Sequence, residues 1–241
     1  MTRYPVAITF LANVLLPILA SHHNTPSFNF ANDEWKVKPT MDFDISGEGS
    51  ADNWNNSDWL ELSKDKDAGV GYQTKFKMLY SDSGIYCLYY CEDKKVTATI
   101  NEDFLDLWHE DVVEVFFWTD ESVPIYFEYE LSPLNHELPL IVPNFNGKFL
   151  GWRPWHYEGR RKVRHATHIN KNGNVVTSWT AEFFIPYALL APLNNVPAQK
   201  GTRWRANFYR IDYDNGEASW QWQTVRTNFH DYQSFGHVLF D

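Results

Sequence analysis

The sequence predicts an all-β protein that folds as a single antiparallel β-sandwich, jelly-roll-like, with few short helical turns. Short segments of alternating apolar and polar residues, rich in β-branched and aromatic types, follow one another along the chain. Gly, Asn, Asp and Pro separate these segments, as they do in all-β folds. With 241 residues, 44% of them hydrophobic, the chain is long enough for one domain with a substantial core. It is short for two full domains.

Seven segments carry the strand pattern in chain order: VGYQTKFKML (70–79), GIYCLYYCED (84–93), DVVEVFFWTD (111–120), PIYFEYELSP (124–133), KVRHATHI (162–169), VVTSWTAEFFI (175–185) and TRWRANFYRID (202–212). Two stretches favour short helical turns, NEDFLDLW (101–108) and PYALLAPL (186–193), the second of which begins with a proline suited to a first helical turn. No repeat or linker divides the chain after residue 24, so residues 23–241 are predicted to be one domain.

Residues 1–22 are predicted to be a secretory signal segment. Arg3 precedes an apolar stretch from about Pro5 to Ala20, which is shorter than the roughly 20 residues that cross a bilayer. The expected location is therefore outside the cell, in a periplasm or on the cell surface, with no membrane span in the mature chain. The alternative is that this stretch forms a buried first strand or helix of the domain.

The charge and the aromatic content limit the possible partners. A formal net charge of −10 repels phosphate backbones, so nucleic acid is not an expected partner. The basic cluster at Arg160, Arg161, Lys162 and Arg164 is interpreted as a solvated strand face. Aromatic residues make up 17% of the chain, which indicates surfaces for stacking.

The two cysteines, Cys87 and Cys91, lie on one predicted strand. At about 3.3 Å per residue they are roughly 13 Å apart, too far for a disulfide, so both are predicted to be core-filling thiols. The histidines show no spacing that would complete a zinc site with them.

Three glutamates occupy apolar strand faces. Alternation puts Glu114 on the same face as Phe116, and puts Glu128 and Glu130 on the same face as Tyr126. The short loop TDESVP predicts a hairpin that brings Glu114 near Glu128 or Glu130. Such carboxylates should hold a cation, bind a hydrogen-bonding ligand or have raised pKa values. The alternative is an edge strand with its polar face in water.

Several blocks along the chain carry a family resemblance: DNWNNSDW, YQTKFKMLYSDSGIYCLYYCED, DLWHEDVVEVFFWTD, YFEYELSPLNHEL, SWTAEFFIPYALL, GTRWRANFYRID and NFHDYQSFGHVLF. In this order they resemble carbohydrate-binding module family 9 and its stand-alone relatives in the wider DOMON-like group. The resemblance runs from about Trp35 to Asp241. It implies a distorted antiparallel β-sandwich whose binding members hold a sugar between two aromatic rings.

The resemblance implies roles for individual residues. Trp108 matches the first ring of that clamp, and Glu114 matches a carboxylate that hydrogen-bonds the sugar. The family's second tryptophan is absent, and Phe229, or Trp222 upstream, is the expected substitute. Stacking on an apolar sugar face and acceptors for its hydroxyl rim suit this pair of residue types.

Further candidate ligand-binding residues are less specific. Glu128 stands where binding members tend to carry an arginine, and Glu130 shares its face. Asn207 and Arg210 could reach the ligand, although Arg210 could instead pair with an acid inside the sandwich. His230 is either a ligand contact or a loop histidine with its own partners. Trp152, Trp155 and Tyr157 could extend the aromatic platform, although Trp152 could instead start a core strand.

The predicted function is a secreted carbohydrate-binding protein for oligo- or polysaccharides, linked to polysaccharide degradation but without chemistry of its own. One alternative is a glycoside hydrolase with paired carboxylates such as Glu114 and Glu130. A second is an interaction domain that has lost the sugar site, and a third is haem binding through Met78 and His165. The resemblance also implies a structural calcium, for which Asp65 and Asp67 are candidates, although two acids alone do not make a six-to-eight-oxygen site.

Overall fold

The computed structural model describes residues 34–64 and 69–241. The predicted signal segment 1–22 and the two calcium candidates Asp65 and Asp67 lie outside the described residues. Within the described part of the chain, no helix is long and apolar enough to cross a membrane.

Fifteen strands account for most of the regular structure in this part of the chain: β1 (Glu34–Pro39), β2 (Leu60–Glu61), β3 (Ser63–Lys64), β4 (Thr74–Tyr80), β5 (Gly84–Glu92), β6 (Val112–Trp118), β7 (Ile125–Leu131), β8 (Glu137–Phe145), β9 (Lys148–Phe149), β10 (Arg153–Pro154), β11 (Arg164–Asn172), β12 (Val175–Pro186), β13 (Arg203–Asp212), β14 (Ala218–Gln221) and β15 (Gly236–Phe240). One short helix, α1 (Tyr187–Leu190), follows β12. Four 3₁₀ turns cover Asp52–Asn56, Leu107–His109, Gly159–Arg161 and Tyr232–Ser234.

The strands form two layers joined by β1. The front sheet has the order β10-β8-β7-β6-β13-β15, with β14 beside the second half of β13. The back sheet has the order β4-β5-β12-β11. The strand β1 pairs in parallel with β15 through its first half and with β4 through its last two residues. All other strand pairings are antiparallel, so the predicted antiparallel β-sandwich is confirmed.

All seven segments predicted as strands form strands, and the predicted turn at PYALLAPL is α1. The sequence pattern does not predict β8, because Pro139 and Pro143 interrupt it and proline cannot donate to a β-ladder. The strand tolerates them because it lies beside the sheet edge, where only β9 and β10 pair with its outer side. The proline carbonyls still accept hydrogen bonds. The Trp155 amide donates to the Pro139 carbonyl at 2.7 Å, and the Leu150 amide donates to the Pro143 carbonyl at 3.1 Å.

The main core lies between the two sheets. On β6, Val113, Val115 and Phe117 point into it, and the back sheet contributes residues such as Phe183. Cys87 and Cys91 are both buried in this core as free thiols, which confirms their predicted role. Burial of these apolar faces drives the two sheets together.

The opposite face of the front sheet is also buried. The alternate residues of β6 and β7, among them Phe116, Trp118 and Tyr126, form a second apolar cluster with Tyr232 and Phe235 from the last loop. The predicted alternative of an edge strand with a wet polar face is therefore not observed. This second cluster forms the surroundings of the candidate site.

Glu182 on β12 holds the segment that covers the back sheet. Glu182 is fully buried, and its Oε2 accepts hydrogen bonds from the amides of Ser46, Gly47 and Gly49 at 2.9, 2.8 and 3.3 Å. Its Oε1 accepts from the Trp54 indole at 2.8 Å. The two glycines have φ angles of +85° and +65°, which lets successive amides converge on one carboxylate. Glu182, in the SWTAEFFIPYALL block of the sequence, thus has a structural role.

Candidate ligand-binding site

A cavity of about 580 Å³ lies on the outer face of the front sheet. Its floor comes from the strands of this sheet, and its walls come from the loop before β6, the β8–β10 region, β14 and the loop after β14. The lining residues are Trp108, Glu114, Phe116, Glu128, Glu130, Leu140, Phe149, Trp152, Ile211, Glu217, Ser219, Gln221, Val225, Arg226, Thr227, Asn228, Phe229 and His230. The structure therefore brings six of the nine predicted site residues to one place, and contact with a ligand stays a prediction.

Three glutamates form the polar part of the floor. The β6–β7 hairpin sets Glu114 directly opposite Glu130, and Phe116 opposite Glu128. The side chains are almost fully buried, with 3%, 1% and 3% exposure for Glu114, Glu130 and Glu128. Oε2 of Glu128 and Oε2 of Glu130 are buried without a hydrogen-bond partner. Apart from the contact between Glu128 and Glu130 themselves, these two oxygens thus have no protein donor.

Burial changes the protonation of this floor. Loss of hydration raises the pKa of Glu114 to about 8. The pKa values of Glu128 and Glu130 are raised well above the usual range, first by burial and then by the neighbouring Glu114 charge. The carboxyl groups of Glu128 and Glu130 also lie within hydrogen-bonding reach of each other. The floor therefore resists carrying three negative charges in the absence of a partner.

Aromatic rings stand around this floor. Trp108, at the turn Leu107–His109, is half-buried and packs edge-on against Trp152 at 5.4 Å between ring centroids. Phe229 stacks on Tyr209 at 3.9 Å with an interplanar angle of 14°. Both Trp108 and Phe229 remain part of the cavity lining. The rings are thus held by packing while keeping a surface toward the cavity.

His230 occupies a second aromatic wall. Its ring stacks on Phe149 at 4.2 Å, and its Nδ1 hydrogen-bonds the Tyr126 hydroxyl at 2.6 Å. Burial lowers the pKa of His230 to about 4, so the ring is neutral near pH 7. Its 3.8 Å approach to Oε2 of Glu128 is consequently not an ion pair at that pH.

Asn207 does not line the cavity, in contrast to the prediction. It is fully buried, donates to the Tyr209 hydroxyl at 2.7 Å and to the Gln223 carbonyl at 2.9 Å, and accepts from the Gln223 amide at 2.9 Å. The Tyr209 hydroxyl in turn donates to the Phe229 carbonyl at 3.1 Å. Asn207 therefore positions the loop that carries Phe229.

Trp222 is also turned away from the cavity. Its ring packs against Phe208 at 5.3 Å and Trp35 at 5.9 Å, beside the main core. Of the two predicted substitutes for the second ring, only Phe229 reaches the cavity. Trp155 and Tyr157 pack against the main core as well, whereas Trp152 precedes β10 and lines the cavity.

Arg210 lies inside the sandwich, as the alternative interpretation expected. It is fully buried, and its Nη2 contacts Asp212 at 2.6 Å and Asp93 at 3.2 Å. Its Nη1 donates to the Glu92 carbonyl at 2.7 Å, and the guanidinium lies 4.8 Å from the Trp220 ring. Arg210 therefore does not reach a ligand in the cavity.

The aspartates around Arg210 form a cluster of the kind that could hold a metal ion such as the expected calcium. Oxygens of Asp93, Asp111 and Asp212 lie within 4.8 Å of one another. Asp111 already accepts from the amides of Thr97 and Tyr213, and Arg210 bridges the other two. These donors and Arg210 tie the three carboxylates into one ion-pair and hydrogen-bond network, and bound calcium stays a prediction.

The haem alternative is not supported by geometry. Met78 and His165 lie on one row of the back sheet, separated by Cys87 and Phe183 on the two strands between them. Three strand spacings of about 4.8 Å separate the two side chains, which therefore do not face each other across one iron.

Several lining residues were not predicted, notably Phe149, Glu217, Gln221, Arg226 and Asn228. They come from loops and from the short strands β9 and β14, where no local periodicity signals a binding role. A second cavity, of about 830 Å³, includes Arg160, Lys162 and Arg164 from the predicted basic cluster. Arg164 there already contacts Phe184 and Asp44, at 4.4 and 3.9 Å.

Comparison with known proteins gives a family match over part of the chain. The model of the carbohydrate family 9 binding domain-like family matches residues 45–138, which include Trp108 and the three floor glutamates. An extracellular protein of Arthroderma benhamiae is 27% identical over 154 residues, covering 57% of this chain. The match spans 63% of that relative, which is less than two thirds of its length.

Solved structures share the fold. A protein of Bacteroides uniformis described as a "putative carbohydrate-binding protein" has a TM-score of 0.72 at 18% identity, covering 87% of this chain and 99% of its own. A carbohydrate-binding module of family 9 from Caldicellulosiruptor kristjanssonii, solved with cellotriose, has a TM-score of 0.63 at 18% identity, covering 87% of this chain and 94% of its own. The same source gives a family 9 module with glucose at a TM-score of 0.62. The chain thus shares the fold of the family 9 modules, and part of it, residues 45–138, matches the family model.

Proposed function

We propose that the protein binds carbohydrate in the cavity on the front sheet and performs no chemistry on it. The observation that carries this proposal is one cavity that combines the rings of Trp108 and Phe229 with buried carboxyl groups on its floor. A pyranose offers an apolar CH face to a ring and a rim of hydroxyls to acceptors. The family 9 modules solved with cellotriose and glucose support this class of ligand.

The unpartnered acceptors support binding rather than a purely structural floor. Oε2 of Glu128 and Oε2 of Glu130 are buried without donors, and a buried polar atom without a partner costs about 1–3 kcal/mol. Hydroxyl groups of a bound sugar would supply those donors. Exchange of water for ligand hydroxyls at such sites is how sugar-sized ligands gain orientation.

The arrangement of the carboxyl groups does not favour the hydrolase alternative. Glycosidase carboxylates flank the scissile bond from two sides, about 5.5 Å apart or more. Glu114, Glu128 and Glu130 instead share one face of two adjacent strands, and the last two lie within hydrogen-bonding reach. They form a floor, so a sugar above them would meet all three from one side.

Trp108→Ala is expected to weaken sugar binding by about 1–3 kcal/mol, by analogy with base stacking on aromatic rings. Glu114→Gln is expected to cost less, because the amide keeps the shape and one acceptor oxygen. The measurement is titration calorimetry against glucose, cellotriose and a wider glycan panel, with thermal melts of each variant.

The matched control is Trp59→Ala. Trp59 is 43% exposed, lies outside the cavity and contacts Lys77 at 4.8 Å, so its loss should leave sugar affinity unchanged. Normal binding by a folded Trp108→Ala variant would contradict the proposed ring contact.

We also propose that the protein is exported, with residues 1–22 as the signal. The extracellular description of the Arthroderma benhamiae relative supports this. The mature chain from the native host is expected to begin between Ser21 and Asn24. N-terminal sequencing that starts at Thr2 would refute the proposal.

A further inference from the structure

The ionisable side chains that line the cavity are predominantly acidic. The acidic residues of the lining are Glu114, Glu128, Glu130 and the exposed Glu217, and the basic or titratable ones are Arg226 and His230. His230 is neutral near pH 7, because its buried ring is hard to protonate. The positive charge in the lining therefore comes from Arg226.

Arg226 is already committed to another partner. Its Nε donates to Asp231 Oδ2 and its Nη2 to Asp231 Oδ1, both at 3.1 Å, in a two-pronged contact. The side chain is 67% exposed, so it lies at the rim and not above the floor. No protein cation among the lining residues thus lies over the three floor glutamates, and a cationic ligand group could take that place.

The spacing of the carboxyl groups suits an organic cation better than a metal ion. Among residues 34–64 and 69–241, only Asp93, Asp111 and Asp212 bring three ligand atoms within 4.8 Å of one another. The floor glutamates are spread more widely, along two strands. A small ion could not contact all three, whereas a cationic group carried on a ring-shaped ligand would lie among them.

From this acidic lining and the unpartnered carboxyl oxygens we infer that the cavity selects amino sugars, that is, hexoses or hexose chains in which a hydroxyl is replaced by a protonated amine. The inference rests on the proposed carbohydrate-binding function. The ring would stack on Trp108 or Phe229, and the ammonium would donate to the free Oε2 atoms of Glu128 and Glu130. Hydrogen bonds between charged groups are about twice as strong as neutral ones, so the amine gains more than a hydroxyl.

The protonation state of the floor adds a second consequence. Glu114, Glu128 and Glu130 have raised pKa values because they are buried near one another. A bound cation favours their ionised form and lowers those pKa values again. Binding of an amino sugar near pH 7 should therefore release protons, which a neutral sugar would not do to the same extent.

The test compares ligands that differ in one group. Titration calorimetry of the full-length protein with glucosamine, glucose, N-acetylglucosamine and glucuronic acid, and with oligomers of glucosamine and of glucose, is done near pH 7 in two buffers of different ionisation enthalpy. Glucosamine is expected to bind roughly tenfold more tightly than glucose, from the difference of about 0.5–2 kcal/mol between a charged and a neutral hydrogen bond. Glucuronic acid is expected to bind most weakly.

Variants connect the preference to the floor. Glu128→Gln and Glu130→Gln should each bring the glucosamine-to-glucose affinity ratio toward one, and Glu48→Gln, an exposed residue outside the cavity, should not. Two floor variants are used because one of them could lose binding through a lowered stability of the fold, and the other then still tests the preference. Equal or tighter binding of glucose, or tightest binding of glucuronic acid, would overturn the amino-sugar preference and leave carbohydrate binding standing. Absence of binding to every sugar would overturn both.

Discussion

Arg210→Met is expected to lower the free energy of unfolding by about 3–5 kcal/mol, the range for removing one partner of a buried ion pair. The guanidinium is fully buried and bridges Asp93 and Asp212, with Asp111 beside them. Methionine fills much of the space but leaves these carboxyl groups without their cation. The loss of stability arises because the buried carboxylates have given up their hydration and no longer have the guanidinium as a partner.

The cost should depend on pH. Burial raises the pKa of Asp93 to about 6 and that of Asp111 to about 7, above the roughly 3.9 of an unfolded aspartate. The folded state therefore binds more protons than the unfolded state between these values, and stability rises as the pH falls through them. Arg210 lowers the pKa values of Asp93 and Asp212, so both should rise further without it. The deficit of the variant should therefore be largest above about pH 7 and should shrink toward pH 5.

Urea denaturation at several pH values measures both effects. Arg203→Met on the same strand is the matched control, since Arg203 is 63% exposed and pairs with Glu34 at the surface. Exposed pairs contribute about 0–1 kcal/mol, so this variant should be nearly as stable as the parent. A deficit for Arg210→Met no larger than that of the control would show that the aspartates do not depend on Arg210.

Glu182→Ala is expected to cost at least about 3 kcal/mol of unfolding free energy. Three amides, the Ser46 hydroxyl and the Trp54 indole donate to this one buried carboxylate, and each donor left unpaired costs roughly 1–3 kcal/mol. The segment from Phe43 to Trp54 packs on the outer face of the back sheet, beside Tyr86 and Phe184. Loss of the carboxylate should release this segment first.

Urea denaturation and amide hydrogen exchange test this together. The amides of Ser46, Gly47 and Gly49 should exchange much faster in the variant, while those of β6 keep their protection. Glu48→Ala, on the same loop, is the control: its side chain is 57% exposed and should change stability by no more than about 0.5 kcal/mol. Unchanged exchange at these three amides would mean that apolar packing alone holds the segment.

Much of the fold follows from the sequence alone. The side-chain period of two in a strand is a local property, so seven strands could be located and the residues on each face could be assigned. The same period placed Glu114, Glu128 and Glu130 on apolar faces, and the short TDESVP loop indicated the hairpin between them. The burial of two cysteines on one face followed in the same way.

Tertiary structure decided the rest, because it depends on segments that are distant in the chain. Alternation cannot tell whether a polar strand face meets water, and here the last loop, with Tyr232 and Phe235, covers it. The alternation of β13 is compatible with a ligand contact by Arg210. In the structure Arg210 instead pairs inside the sandwich with Asp93, which lies more than a hundred residues away in sequence. Asn207 and Trp222 are directed by their packing partners, and β8 accepts its prolines because it lies near a sheet edge. In each case the position of the residue depends on burial and on hydrogen-bond partners that come from distant parts of the chain. The neighbouring sequence does not indicate either of them.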